Sequence, residues 1–146
     1  MHEKYISILA TILLIAAAGA LFMLNHGLLG NGPVSVTVQM CGILLVLWAR
    51  LTFGWRSYHA AANPTRGPLI TSGPYHYIRN PIYAAVLLVC WGGIAAHWSV
   101  LNALLGFLIA ATLAVKIWCE ETLLRAAYPE YRAYEQSTAR IIPYIL

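Results

Sequence analysis

Twenty consecutive residues without a charge, Tyr5 to Leu24, constrain this chain more than any other feature. At about 1.5 Å of rise per residue, a helix of that length crosses a hydrocarbon core of roughly 30 Å. The run is too long for the apolar region of a signal peptide, and Asn25 to Asn31 shows no convincing small-x-small cleavage pattern. Three further apolar runs follow. Val34 to Phe53 is interrupted mainly by Thr37 and Gln39 and carries Arg50 near its end. Ile82 to Ala96 is shorter, about 22 Å as a helix, so its start is expected to sit at membrane depth. Val100 to Trp118 continues outward through Glu120, Glu121 and Arg125.

Hydrophobic residues make up 60% of the 146 positions and charged ones 10%, where a soluble domain carries about a quarter. The expected fold is therefore a single all-α integral membrane domain with about four transmembrane helices. A long cytoplasmic loop, Gly54 to Asn80, separates the second span from the third. A C-terminal cytoplasmic helix, Glu130 to Ser137, follows Pro129. His97-Trp98-Ser99 forms the hairpin between the last two spans, with Trp98 at the interface. All nine Lys and Arg fall in the N-terminus, the middle loop or the tail region, which puts both termini and the middle loop on the cytoplasmic side.

The formal charge of +4 comes from basic residues that form no patch, so nucleic acid is not an expected partner. Cys41, Cys90 and Cys119 lack any CxxC or Cys/His spacing, and no metal is expected. His59 and His76 stand in the loop without a second histidine at ligand spacing. Gly92, Gly93 and Gly106 are read as points of close helix packing.

The chemistry concentrates in Leu69-Ile-Thr-Ser-Gly-Pro-Tyr-His-Tyr-Ile-Arg-Asn-Pro-Ile-Tyr83. Ser72-Gly73-Pro74 marks a turn, and Pro81 opens the third helix at a position where its missing N–H costs nothing. Arg79 and Glu120 are almost equidistant from the His97–Ser99 hairpin, so they return to the same depth. Charges meeting at a membrane face point to a functional site, although a helix-end salt bridge explains the same pair. Glu120 and Glu121 lie about 100° apart on a helix, so only one can face a given ligand; Glu121 can pair with Arg125 at i+4.

Arg79-Asn80-Pro81-Ile82-Tyr83, followed by Glu120-Glu121-Thr122-Leu123-Leu124 and by Arg140-Ile-Ile-Pro143, resembles the isoprenylcysteine carboxyl methyltransferase family. That family is similar in turn to the membrane phospholipid N-methyltransferases. The resemblance covers roughly Thr65 to Pro143. It implies methyl transfer from S-adenosylmethionine to a lipid-like or small hydrophobic acceptor, a carboxylate drawn by Lys116 being one such acceptor, as in isoprenylcysteine carboxyl methylation, in residues 54–146 as a cofactor-binding core behind two spans in residues 1–53. Carried across, the cofactor contacts come from Pro68, Leu69 and Ile70, from Tyr75, from Asn80, Pro81, Ile82 and Tyr83, and from Glu120. Arg79 and Lys116 are the candidates for catalysis.

Two departures qualify the resemblance. Asn80 stands where the family usually has histidine. Lys116 stands where prenylcysteine enzymes carry an arginine linked to the substrate carboxylate, and a lysine cannot clamp a carboxylate bidentately. Two other classes compete with this reading. The Arg140-Ile-Ile-Pro-Tyr144 ending is similar to the tail of NADPH-dependent membrane sterol reductases, and a non-catalytic membrane scaffold would use the loop only as a turn.

Overall fold

A computed structural model describes residues 2–26, 29–54 and 68–143. The described residues are helical, with five α-helices: α1 His2–Leu24, α2 Pro33–Phe53, α3 Pro81–Ala96, α4 Val100–Ala127 and α5 Tyr131–Ser137. A 3-10 turn, Gly73–His76, precedes α3. Three helices, α1, α2 and α4, are long and apolar enough to cross a membrane; α3, with 16 residues, is shorter. The expectation of about four spans thus meets three helices of full length and one that reaches about 24 Å. Arg56, His59 and Arg66 of the middle loop, and Tyr144 of the ending, lie outside the described residues.

Large apolar side chains such as Leu9, Ile12, Phe22, Leu44, Leu104 and Phe107 face outward. A soluble protein would have to cover that surface; in a bilayer it is the lipid-facing side. Lipid tails are as apolar as leucine, so helices are held together there by close packing and polar contacts rather than by the hydrophobic effect.

The helices pair as α2 with α3 and α1 with α4, and a smaller α3–α4 contact joins the two pairs. Small and polar residues bring α2 against α3. A Cβ at Gly92 would stand 2.7 Å from Gln39 Cγ, and one at Gly42 would stand 2.9 Å from the Ala85 carbonyl oxygen. Ser35 Oγ donates to the Gly92 carbonyl at 2.5 Å. Gln39, fully buried, donates to the Val89 carbonyl at 3.1 Å and accepts from the Gly30 amide at 2.9 Å. The α1–α4 pair and the face of α3 against it share a core of Ala17, Leu21, Cys90, Ile94, Ile109 and Leu113. Asn102 ties the hairpin end of this pair, donating to Asn25 Oδ1 at 2.8 Å and to the His97 carbonyl at 2.6 Å. Ser99 caps α4 by accepting from the Asn102 amide at 3.1 Å.

The opposite end of the bundle is built differently. There the turn before α3, the overhanging part of α4 and the tail come together, and nearly every charge among the described residues is engaged.

Candidate active site

Gly73 starts the turn with φ +59°, and a Cβ there would collide with Thr52 on α2. Only glycine combines that backbone with that contact. The turn drops Tyr75 into a buried position with its ring 5.6 Å from Phe53. Burial pushes the Tyr75 phenol up to about 12; Arg50 opposes this and Glu120 adds to it.

The tail clasps this turn. Residues 138–140 run beside residues 77–80: the Arg79 amide donates to the Ala139 carbonyl at 2.8 Å, the Ala139 amide to the Tyr77 carbonyl at 3.2 Å, and the Asn80 amide to the Arg140 carbonyl at 3.1 Å. From α5, the Tyr134 hydroxyl donates to the Tyr75 carbonyl at 2.6 Å. That phenol is also pushed up to about 12, chiefly by burial, so it stays protonated and donating through the neutral range.

Under the tail lies a buried charge cluster centred on Glu121. This carboxylate accepts from Arg79 Nε at 3.2 Å and from Asn80 Nδ2 at 3.1 Å on one oxygen. Its other oxygen meets Arg125 at 3.4 Å and Arg140 at 3.2 Å. Arg79 also donates through Nη1 to the carbonyls of Glu135 (2.8 Å) and Thr138. Arg125 forks onto Glu135 at 3.0 and 2.5 Å, which holds the Glu135 carboxyl below the usual carboxylate range. The i+4 pairing of Glu121 with Arg125 read from the sequence is present. Arg79, which the sequence places at the depth of Glu120, meets Glu121 instead.

Glu120 points to a separate site. Its Oε1 accepts from the Tyr83 hydroxyl at 2.6 Å and pairs with Lys116 Nζ at 3.0 Å. Lys116 is buried, donates to Ser7 Oγ on α1 at 3.2 Å, and stands 5.9 Å from the centre of the Tyr83 ring. Glu120 Oε2 meets no donor among the described residues, and about a quarter of the side chain is open. Two neighbouring glutamates thus serve two places, one sealed and one open.

The sequence-expected residues divide between these places. Tyr83 and Lys116 hold the open Glu120 carboxylate, and Tyr75 is near enough for its phenol to feel that charge. Arg79 and Asn80 belong to the sealed cluster, where both Asn80 amide hydrogens are used, on Glu121 and on the Arg140 carbonyl. Pro81 is buried at the first turn of α3. No side chain caps that end, which leaves the amides of Ile82 and Tyr83 for another acceptor. Pro68, Leu69 and Ile70 lead into the turn at the surface, exposed or half-buried. Ser7 was not legible as a site residue: a single serine in an apolar span carries no signal until α1 is known to pack on α4.

On the outer side of α2 and α3 lies an apolar groove of about 610 Å³. It runs along Trp48, Leu88 and Trp91 and ends against Pro74, Tyr77 and Ile78, the residues that bracket Tyr75, with Ile141 and Ile142 from the tail beside them.

The phospholipid methyltransferase family model matches residues 31–131. Among curated proteins, the cobalt-zinc-cadmium resistance protein CzcN of Cupriavidus metallidurans is 30% identical over 112 residues, 76% of this chain. The chain spans about half the length of that relative. No solved structure matches it significantly. The family match begins after α1 and takes in the turn, α3, Lys116 and both glutamates. With more than half its length matched by that one model, the chain belongs to the phospholipid methyltransferase family.

Proposed function

We propose that the chain transfers a methyl group from S-adenosylmethionine to a lipid-like or small hydrophobic acceptor at the Glu120 site. The open oxygen of Glu120 carries the reading. Lys116 and Tyr83 hold Oε1, so Oε2, unshared among the described residues, is an oriented acceptor for an ammonium or hydroxyl of the cofactor. The Tyr83 ring stands beside it, with Tyr75 within reach of its charge, and such rings suit a cationic sulfonium. The first-turn amides of α3 suit the carboxylate of an amino acid. Pro68, Leu69 and Ile70 offer backbone at the same mouth. When bound, the cofactor supplies an activated methyl group; the chain's own residues supply binding, alignment and exclusion of water.

In this reading Arg79 works through the tail. Its donors reach Glu121 and two tail carbonyls, which keeps the tail over the turn and Tyr75 in place. Asn80 does the same from its side. Tyr134 closes the clasp from α5. The apolar groove that ends at Pro74 and Ile78 is suited to the chain of a hydrophobic acceptor entering from the bilayer. A neutral or amine acceptor is favoured over a carboxylate, because Lys116, the residue expected to draw a carboxylate, is already neutralised by Glu120. The positive-inside distribution assigns this end of the bundle to the cytoplasm, at the inner membrane in a prokaryote.

The test is transfer of label from methyl-labelled S-adenosylmethionine into the lipid and small-molecule fractions of membranes holding the protein. Label above that of membranes holding Glu120→Gln is the expected result. Label absent from every fraction, with NADPH consumed instead, would move the chain to the reductase reading.

A further inference from the structure

Helix α1 lies outside the segment that the family model matches, yet it places one polar side chain in the centre of the candidate site. Ser7 is fully buried, and its Oγ lies 3.2 Å from Lys116 Nζ. We propose that Ser7 is a positioning residue for the cofactor site: through Lys116 it sets the orientation of Glu120, so that α1 belongs to the site. This rests on the methyl-transfer reading and deepens it.

Lys116 is enclosed on three sides. An ammonium has three donors, and here three partners surround it: Glu120 Oε1, Ser7 Oγ and the face of Tyr83. A lysine that served an acceptor would have to leave Glu120, and one near a membrane face would ordinarily extend toward water. Lys116 does neither. It stays buried beside α1, where a single hydroxyl accepts its second proton.

Glu120 gains its orientation from the same arrangement. Lys116 and Tyr83 converge on one oxygen and leave the other unshared among the described residues. The i,i+4 spacing on α4 makes a Lys116–Glu120 pair possible but leaves both long side chains many rotamers. Tyr83 fixes the carboxylate from α3, and Ser7 fixes the lysine from α1. Removing the Ser7 hydroxyl frees the lysine to turn outward, and the open oxygen of Glu120 then loses its fixed direction. The effect belongs to cofactor affinity, whereas a lysine serving an acceptor carboxylate would act on the KM of that acceptor.

The experiment measures S-adenosylhomocysteine binding by calorimetry in detergent for the wild type, Ser7→Ala, Ser7→Thr and Thr11→Ala, with the first substitution repeated in a Glu120→Gln background. Ser7→Ala is expected to raise Kd about three- to tenfold, the range for one ordinary hydrogen bond acting through a neighbour. Ser7→Thr keeps the hydroxyl and restores affinity; Thr11→Ala, one turn along α1, is expected to match the wild type. In the Glu120→Gln background Ser7→Ala should add nothing, because the two substitutions act on one interaction. Ser7→Cys, close in volume, replaces the alanine variant if that variant does not fold. Equal losses in both backgrounds would mean a general loosening of the α1–α4 contact and overturn the proposal. So would unchanged affinity in Ser7→Ala with a wild type that binds. A wild type that does not bind at all overturns the methyl-transfer reading and this inference together.

Discussion

Arg79 and Glu121 meet at 3.2 Å across 42 positions of chain, both nearly sealed from solvent, and the residue beside Glu121 faces elsewhere. One turn of α4 therefore carries two carboxylates with different duties. Glu121 holds the tail on the turn. Glu120 keeps an oxygen open beside Tyr83.

Replacing Glu121 is expected to act on stability. Arg79, Arg125, Arg140 and Asn80 all converge on it, so Glu121→Gln leaves the buried Arg79 guanidinium without its counter-charge. Breaking a buried pair on one side costs about 3–5 kcal/mol. A lowered melting temperature in detergent checks this, and an unchanged one would contradict the cluster.

Much of the fold was legible because its signals are local. The apolar runs, the turn residues Ser72-Gly73-Pro74 and the Pro81 helix start lie where the sequence puts them, to within a few residues. The hairpin at His97–Ser99 also needed no tertiary information, and Gly92 and Gly106 do sit at close contacts, against Gln39 and Ile94. What stayed hidden depends on which helices pair. The α1–α4 contact, and with it Ser7, follows from no spacing along the chain. The choice of Glu121 for Arg79 turns on a helix phase of about 100°, which equal distance from a hairpin does not resolve.

The tail clasp should open in acid. Arg125 holds Glu135 below its usual pKa, with Arg79 and Arg140 also facing it. A depressed folded pKa means that the contribution is complete above the unfolded carboxylate value and is lost as pH falls through the folded one. A spin label at exposed residue 137 (Ser137→Cys) is expected to be immobilised at neutral pH and to gain mobility only below the ordinary glutamate range. In a Glu135→Gln background it should be mobile at both.

Gly73→Ala should disturb the site without touching its polar groups. The substitution places a Cβ against Thr52 on a left-handed backbone, at a cost of about 1–2 kcal/mol for the backbone alone. Tyr75 is two residues on, so cofactor affinity is expected to fall together with stability. A variant with full affinity would remove the turn from the site.

Sidedness is open to labelling. With Cys41, Cys90 and Cys119 replaced, single cysteines at exposed Asn31 and Trp98 are expected to react with an impermeant reagent from the face opposite to one at Ser72. Reaction of all three from one face would contradict the crossing of α2 and α3.

Glu120, and not Glu121, is expected to meet the cofactor. The dissociation constant of S-adenosylhomocysteine for the wild type, Glu120→Gln and Glu121→Gln, taken at a temperature where all three are folded, tests this. Loss of a charge-assisted hydrogen bond costs about 1.5–3 kcal/mol, so Glu120→Gln should bind about ten- to a hundredfold more weakly, with Glu121→Gln close to the wild type. Equal weakening in both variants, or tighter dependence on Glu121, would contradict the account.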